Sequence, residues 1–223
     1  MIGSKSEVVV PKSKRAIGEK LALVLSGLLH PVFIMTYGIA LLFVYTDFQY
    51  IFARQFGRFI YPVLVFSCLI PVACIVVFKR SGYLSDYAMS KKEERGLPLV
   101  VTLVSYFVLF FYFYKAGLYT WFLAILLVPI VLMLITGAIN IYYKISAHML
   151  GMGALIGTVF SVCYNIKGLN PYLLFMILII LAGALGVSRL VLKRHTPMQV
   201  YLGFLVGLVV SYLTIYIGGR FTF

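Results

Sequence analysis

Acidic side chains are scarce in this chain. Six Asp and Glu among 223 residues stand against 19 Lys and Arg, for a formal net charge of +13. In a soluble protein that imbalance would suggest a nucleic-acid partner. Here charged residues make up only 11% of the chain, and the basic ones fall mainly in gaps between apolar runs. They therefore read as topology signals, lipid headgroup contacts or an anion site. No nucleic-acid motif accompanies them, and nucleic acid is not an expected partner. Cysteine is as rare as histidine, with three of each. Cys68, Cys74 and Cys163 all lie inside apolar runs, without the C-x-x-C or Cys/His spacing of a metal site. They read as small core residues. Internal repeats and low-complexity tracts are absent as well. The first apolar run is too long for a signal-peptide core and has no obvious cleavage site, so it is expected to stay in the mature protein.

Hydrophobic residues fill the space that charge leaves. They are 63% of the chain, with a mean hydropathy of +1.05, whereas a soluble domain has roughly 45–50%. Seven apolar runs, at about 21–46, 57–79, 98–115, 118–142, 147–165, 171–188 and 198–218, each approach the ~20 residues that span a bilayer. The expected fold class is an all-α integral membrane bundle of six to seven transmembrane helices. Residues 1–16 form a basic N-terminal tail and 17–223 a single transmembrane domain. Pro31, Pro62, Pro71 and Pro129 fall inside runs, which membrane helices tolerate where neighbours satisfy the freed carbonyls. Glycines recur in GMGALIG (151–157), LAGALG (181–186) and GFLVG (203–207). Small residues at such spacing let helices approach closely, so the last three runs should form the tight core. The many Tyr and Phe are assigned mostly to lipid-facing and interfacial positions.

Parity then groups the polar gaps. Two crossings separate the gap at 81–98 from that at 142–148, and two more separate the latter from 188–195. All three should open on one face and gather Lys91, Lys92, Arg95, Lys144, His148, Arg189 and His195. Cations with so few acids nearby suit an anion: arginine's planar fork matches phosphate, lysine adds point charge, and a helix start adds N–H donors. Two histidines add chemistry that binding alone does not need. One neutral imidazole can attack phosphorus while a second, protonated, donates its proton to the leaving oxygen. His30, beside Pro31, reads as a helix-end hydrogen-bonding residue, and Lys193 and Arg194 as interface anchors.

Three pieces of sequence carry a resemblance. S-R-x5-H at Ser188, Arg189 and His195, S-A-H at Ser146, Ala147 and His148, and a Lys-rich stretch ending in Arg95 and Pro98 together resemble the signature of the type 2 phosphatidic acid phosphatase superfamily. The wording is similar to a bacterial membrane branch, with a phosphatase-like core at about 80–218. The resemblance implies His195 as nucleophile, His148 as general acid, Arg189 and Arg95 as phosphate clamps, and Ser146 with the Ala147 amide as further oxygen contacts. Lys91 or Lys92 would stand in for the family's lysine, since Ala88 holds its position. No metal or other cofactor is implied. Where the family has an acid four residues after the nucleophile, this chain has Gln199, which can orient the ring through its carbonyl but brings no charge.

The expected function is hydrolysis of a lipid phosphate or pyrophosphate through a phosphohistidine, with phosphatidic acid, phosphatidylglycerol phosphate and a polyprenyl pyrophosphate as candidate substrates. The alternative is a catalytically silent lipid-phosphate binding or scaffold protein. A transporter is disfavoured by the absence of inverted repeats and of acids inside the runs. A bacterial cytoplasmic membrane is the expected location, with the bilayer and its lipids as partners; the sequence does not specify an oligomeric state. The motif face carries 14 of the 19 Lys and Arg, and nine against five without the phosphate-site cations. By the positive-inside bias it is expected to face the cytoplasm, although many relatives act on the outer face.

Overall fold

Proline and glycine shape this bundle more than charge does. The computed structural model describes residues 12–87, 94, 96–140 and 142–220, and all regular structure among them is helical. In order come α1 (Lys12–Leu28), α2 (Pro31–Tyr45), α3 (Phe48–Phe52), α4 (Phe56–Leu64), α5 (Ile70–Arg80), α6 (Gly96–Lys115), α7 (Thr120–Asn140), α8 (Ala147–Ser161), α9 (Tyr172–Val191) and α10 (Pro197–Gly218). A π turn at Val65–Leu69 fuses α4 and α5 into one helix, Phe56–Arg80, and a second π turn carries α8 on to Lys167. Among the described residues six helices are long and apolar enough to cross a membrane, and the bent pair α1–α2, counted as one span, makes seven. The predicted first span is not one straight helix: α1 and α2 meet at a 59° bend. Pro31 has no N–H to continue α1, and it starts α2 with His30 as N-cap.

The π turn follows from Pro71 in the same way. The Ile70 N–H reaches back to the Val65 carbonyl, which leaves the Phe66 carbonyl without its usual helical donor. Ser105 of α6 donates its hydroxyl to that carbonyl at 2.5 Å. A freed backbone group thereby becomes a bond between helices, the condition under which a bilayer tolerates such a break.

At the centre, α8 and α10 touch backbone to backbone. Gly153 and Gly157 of α8 face Phe204, Leu208 and Ser211, and Gly203 and Gly207 of α10 face Ser146, Leu150 and Ala154. A Cβ at Gly153, Gly157 or Gly207 would run into a main-chain oxygen of the partner helix. These are two small-xxx-small pairs in register, as expected of the glycine-rich runs. The third such run fares differently, since Gly183 on α9 has nothing within 4 Å of where a Cβ would sit. Around this pair, α2 packs on α8, α7 on α10, and α1 on α9.

The two ends differ. At one end the chain passes α5 to α6, α7 to α8 and α9 to α10, so the three predicted motif gaps do share a side. At the other, Lys167 pairs with Asp47 at 2.8 Å and lies over the Trp121 ring. Towards that end Phe43, Phe48, Phe59, Phe113 and Phe122 are buried and stack on one another. Most of the tyrosines lie exposed, while these five aromatics form core. Their rings fill the space between α2, α4, α6 and α7 with edge-to-face pairs.

Gly207→Ala is expected to destabilise the protein by about 2 kcal/mol, the usual scale of overpacking, whereas Gly183→Ala leaves stability unchanged or slightly higher. Thermal unfolding of the two variants in one detergent measures the difference.

Candidate active site

Three helix starts and one helix end converge on a cavity of about 690 Å³. His30 begins α2, Ala147 and His148 begin α8, Arg189 closes α9, and Arg194 and His195 lie in the turn before α10. All of them line the cavity, as does Lys144. Every histidine of the chain therefore faces one space, and no Asp or Glu is among the described residues that line it. Its field favours an anion.

The α9–α10 turn is locked by its own backbone. Lys193 adopts the left-handed conformation at φ 50°, and the N–H groups of Lys193 and Arg194 donate to the carbonyls of Leu190 and Arg189 at 2.9 and 3.2 Å. That is a Schellman closure, with Lys where glycine is usual. Two residues later Thr196 and Gln199 form a capping box: the Gln199 N–H donates to the Thr196 hydroxyl, and the Thr196 N–H donates to Gln199 Oε1 at 3.2 Å. A backbone donor fixes which end of the amide faces inward. The same Oε1 lies 3.1 Å from His195 Nδ1, so that nitrogen carries the proton and Nε2 keeps its lone pair. Gln199 sets the His195 tautomer without supplying charge.

The α8 start is tied to this turn and to α1. The Ser146 N–H donates to the Gln199 carbonyl at 3.2 Å. Ser146 is fully buried, and among the described residues its hydroxyl has no hydrogen-bond partner, nor does Nε of Arg189. Buried polar atoms left open beside a cavity are what an incoming oxyanion would satisfy. His148 Nε2 donates to the Ser26 carbonyl at 3.1 Å, which leaves Nδ1 for the cavity side. Its ring meets His30 edge to face, with centroids 5.0 Å apart. His30 is in turn held by its cap, since Nδ1 accepts the Val32 N–H at 3.3 Å.

Of the residues predicted from sequence, the structure brings together His195, His148, Arg189, Lys144 and Ala147 around the cavity, with Ser146 and Gln199 directly behind them. Lys91, Lys92 and Arg95 lie outside the described residues. Sequence reasoning missed His30 and Ser26 as parts of this site. It read His30 as a helix-end hydrogen-bonding residue, which it is; only the rarity of histidine hinted at more. Lys193 is a turn-closing residue rather than a simple membrane anchor.

Residues 140–223 match the family model of the PAP2 superfamily. That segment is similar to the family, and the residues before it lie outside the match. It contains the S-A-H and S-R-x5-H elements with Gln199, while the Lys-rich stretch before Pro98 falls outside the match. Members of the PAP2 superfamily are phosphatases, which supports a phosphatase-type function for this membrane-helical chain. Comparison with the curated proteins and with the solved structures gives no match.

Lys193→Gly is expected to stabilise the fold by about 1 kcal/mol, because glycine enters the left-handed region without the Cβ penalty. A raised unfolding temperature in detergent, with ligand affinity unchanged, is the result to look for.

Proposed function

We propose that the protein hydrolyses a lipid phosphate or pyrophosphate through a phosphohistidine at His195. The observation that carries this reading is the Gln199 carbonyl shared between the Thr196 N–H and His195 Nδ1, which leaves Nε2 basic and nucleophilic. In the first step the Nε2 lone pair attacks phosphorus and the bond to the lipid oxygen breaks. That oxygen takes a proton from Nδ1 of His148, which is protonated once the negative charge of the bound substrate offsets the cations around it, while its Nε2–H stays on the Ser26 carbonyl. In the second step water attacks phosphorus, His148 Nδ1 takes its proton, and the N–P bond to His195 breaks. Arg189, with Lys144, Ser146 and the Ala147 amide, neutralises the non-bridging oxygens, and Lys91, Lys92 and Arg95 are assigned the same task.

His30 belongs to this machinery as a positioning residue. Its capped ring closes one side of His148, so that the two ties on His148, to Ser26 and to His30, both come from the α1–α2 bend. The basic motif face is assigned to the cytoplasmic side of a bacterial inner membrane. A specific observation favours the second reading, a lipid-phosphate receptor without turnover: Gln199 beside His195 gives no negative charge to an imidazolium.

Purified protein tested without added metal on a panel of lipid phosphates is expected to release phosphate. His195→Ala should reduce release by about 10³ or more, and Gln199→Asp should hold or raise it. Binding of the same lipids with no release above the His195→Ala background would establish the receptor instead. For His30, the variant His30→Asn keeps a side-chain cap for α2 but removes the ring. Turnover is expected to fall about tenfold or more while the unfolding temperature holds; wild-type turnover would reduce His30 to a cap.

A further inference from the structure

The cavity does not stop at the phosphate cluster. Along α8 it is lined from His148 through Ala154 to Thr158, about 15 Å of helix at 1.5 Å per residue. Along α7, which runs the opposite way, it is lined from Asn140 to Ile125. The cations stay at one end. Below them the walls are Met35, Ile75, Leu99, Val128, Leu132 and Leu155. Two threonines on those walls turn their hydroxyls back onto their own helices, Thr102 to the Pro98 carbonyl and Thr136 to the Leu132 carbonyl, each at 2.7 Å. A water held inside a protein needs two to four polar partners, and these walls offer few.

The cavity wall also carries proline from four helices: Pro31, Pro71, Pro98 and Pro129 line it, and so does Ser67 of the π turn. Gly38 of α2 keeps the α2–α8 gap narrow beside it, with Leu155 3.5 Å from where its Cβ would lie. Among the described residues the floor is formed by Ile125 and Thr158, the deepest lining positions on their helices. Four of the helices that wall the cavity, α2, α5, α6 and α7, precede or barely reach the segment that matches the family.

We propose that this lower cavity receives the hydrocarbon chain of the phosphate lipid and that its floor sets the chain length the protein accepts. The occupant is the substrate's own tail because the apolar space is continuous with the phosphate cluster and the cations lie only at its head. A chain anchored by its phosphate at Arg189 and His195 runs down between α2, α6, α7 and α8 and ends against Ile125 and Thr158. This rests on the lipid phosphate reading of the site and adds to it: the favoured substrate places a tail inside the protein rather than along its outer surface.

The test uses the full chain in phosphatidylcholine nanodiscs and a series of monoalkyl phosphates of increasing length, with phosphate release and displacement of a bound fluorescent alkyl phosphate read in parallel. For wild type, both signals should rise with length to a cut-off. Ala154→Phe, higher in the cavity, should bring the cut-off to shorter chains than Thr158→Phe does, and Thr158→Ala should extend it. Chains just beyond a cut-off should lose about tenfold or more against shorter ones, since a single methylene denied its pocket is worth that much. A length profile that is identical in all four proteins, or a parallel loss at every length in the variants, overturns the proposal. Should wild type release no phosphate from any chain, the hydrolase reading fails by itself. Displacement then decides alone: a cut-off that shifts with the variants supports the tail cavity, and a flat profile overturns it.

Discussion

The close backbone contact between α8 and α10 is the constraint on which the rest of the structure depends. Where Gly153, Gly157, Gly203 and Gly207 let two main chains touch, helix position is fixed to a few tenths of an ångström, because no side chain remains to rearrange. The start of each helix then falls at a defined level. Ser146 at the head of α8 donates its N–H to Gln199 in the first turn of α10, and Gln199 holds His195. The geometry of the histidines is thus inherited from packing between helices. In a bilayer, where lipid tails compete on equal terms with Leu and Val for apolar contacts, close packing of this kind is a main source of orientation.

A second layer of control comes from groups that proline leaves unpaired. The π turn before Pro71 frees the Phe66 carbonyl for Ser105, and the break before Pro31 places Ser26 and His30 against His148. In both cases a local defect in a helix becomes a contact with a distant one. Prolines of four helices also line the cavity wall. The site and the space below it have opposite characters, cationic above and apolar beneath, which is the shape of an amphiphile.

Much of this was legible in the sequence because it is local. Hydropathy runs mark helices, and parity alone places the three polar gaps on one side. The S-A-H and S-R-x5-H spacings sit at helix ends where their side chains can converge, and the glycine runs at 151–157 and 203–207 announce their contact. What was hidden depends on distance. His30–Pro31 lies inside a continuous apolar run, so hydropathy joins what the backbone breaks. The partner of His30 lies far along the chain, and nothing near residue 30 names it. Which phenylalanines are buried was hidden for a related reason: an aromatic facing lipid and one facing another helix have the same hydropathy, and only the packing partner tells them apart. Lys193 could not be read as a left-handed turn residue because glycine is the residue that normally marks one.

The hydrogen bond from His148 to Ser26 joins residues 122 positions apart, the longest reach of any side-chain bond described at the site. During synthesis the α1–α2 elbow emerges first and waits, with its carbonyl and its histidine unmatched, until α8 has been made. The catalytic-type residues of α8–α10 are made last and find their remaining partner already in the membrane. Assembly of the site is therefore a closing event that needs both ends of the chain. A nascent or C-terminally shortened polypeptide therefore carries the elbow without the α8 ring that it holds.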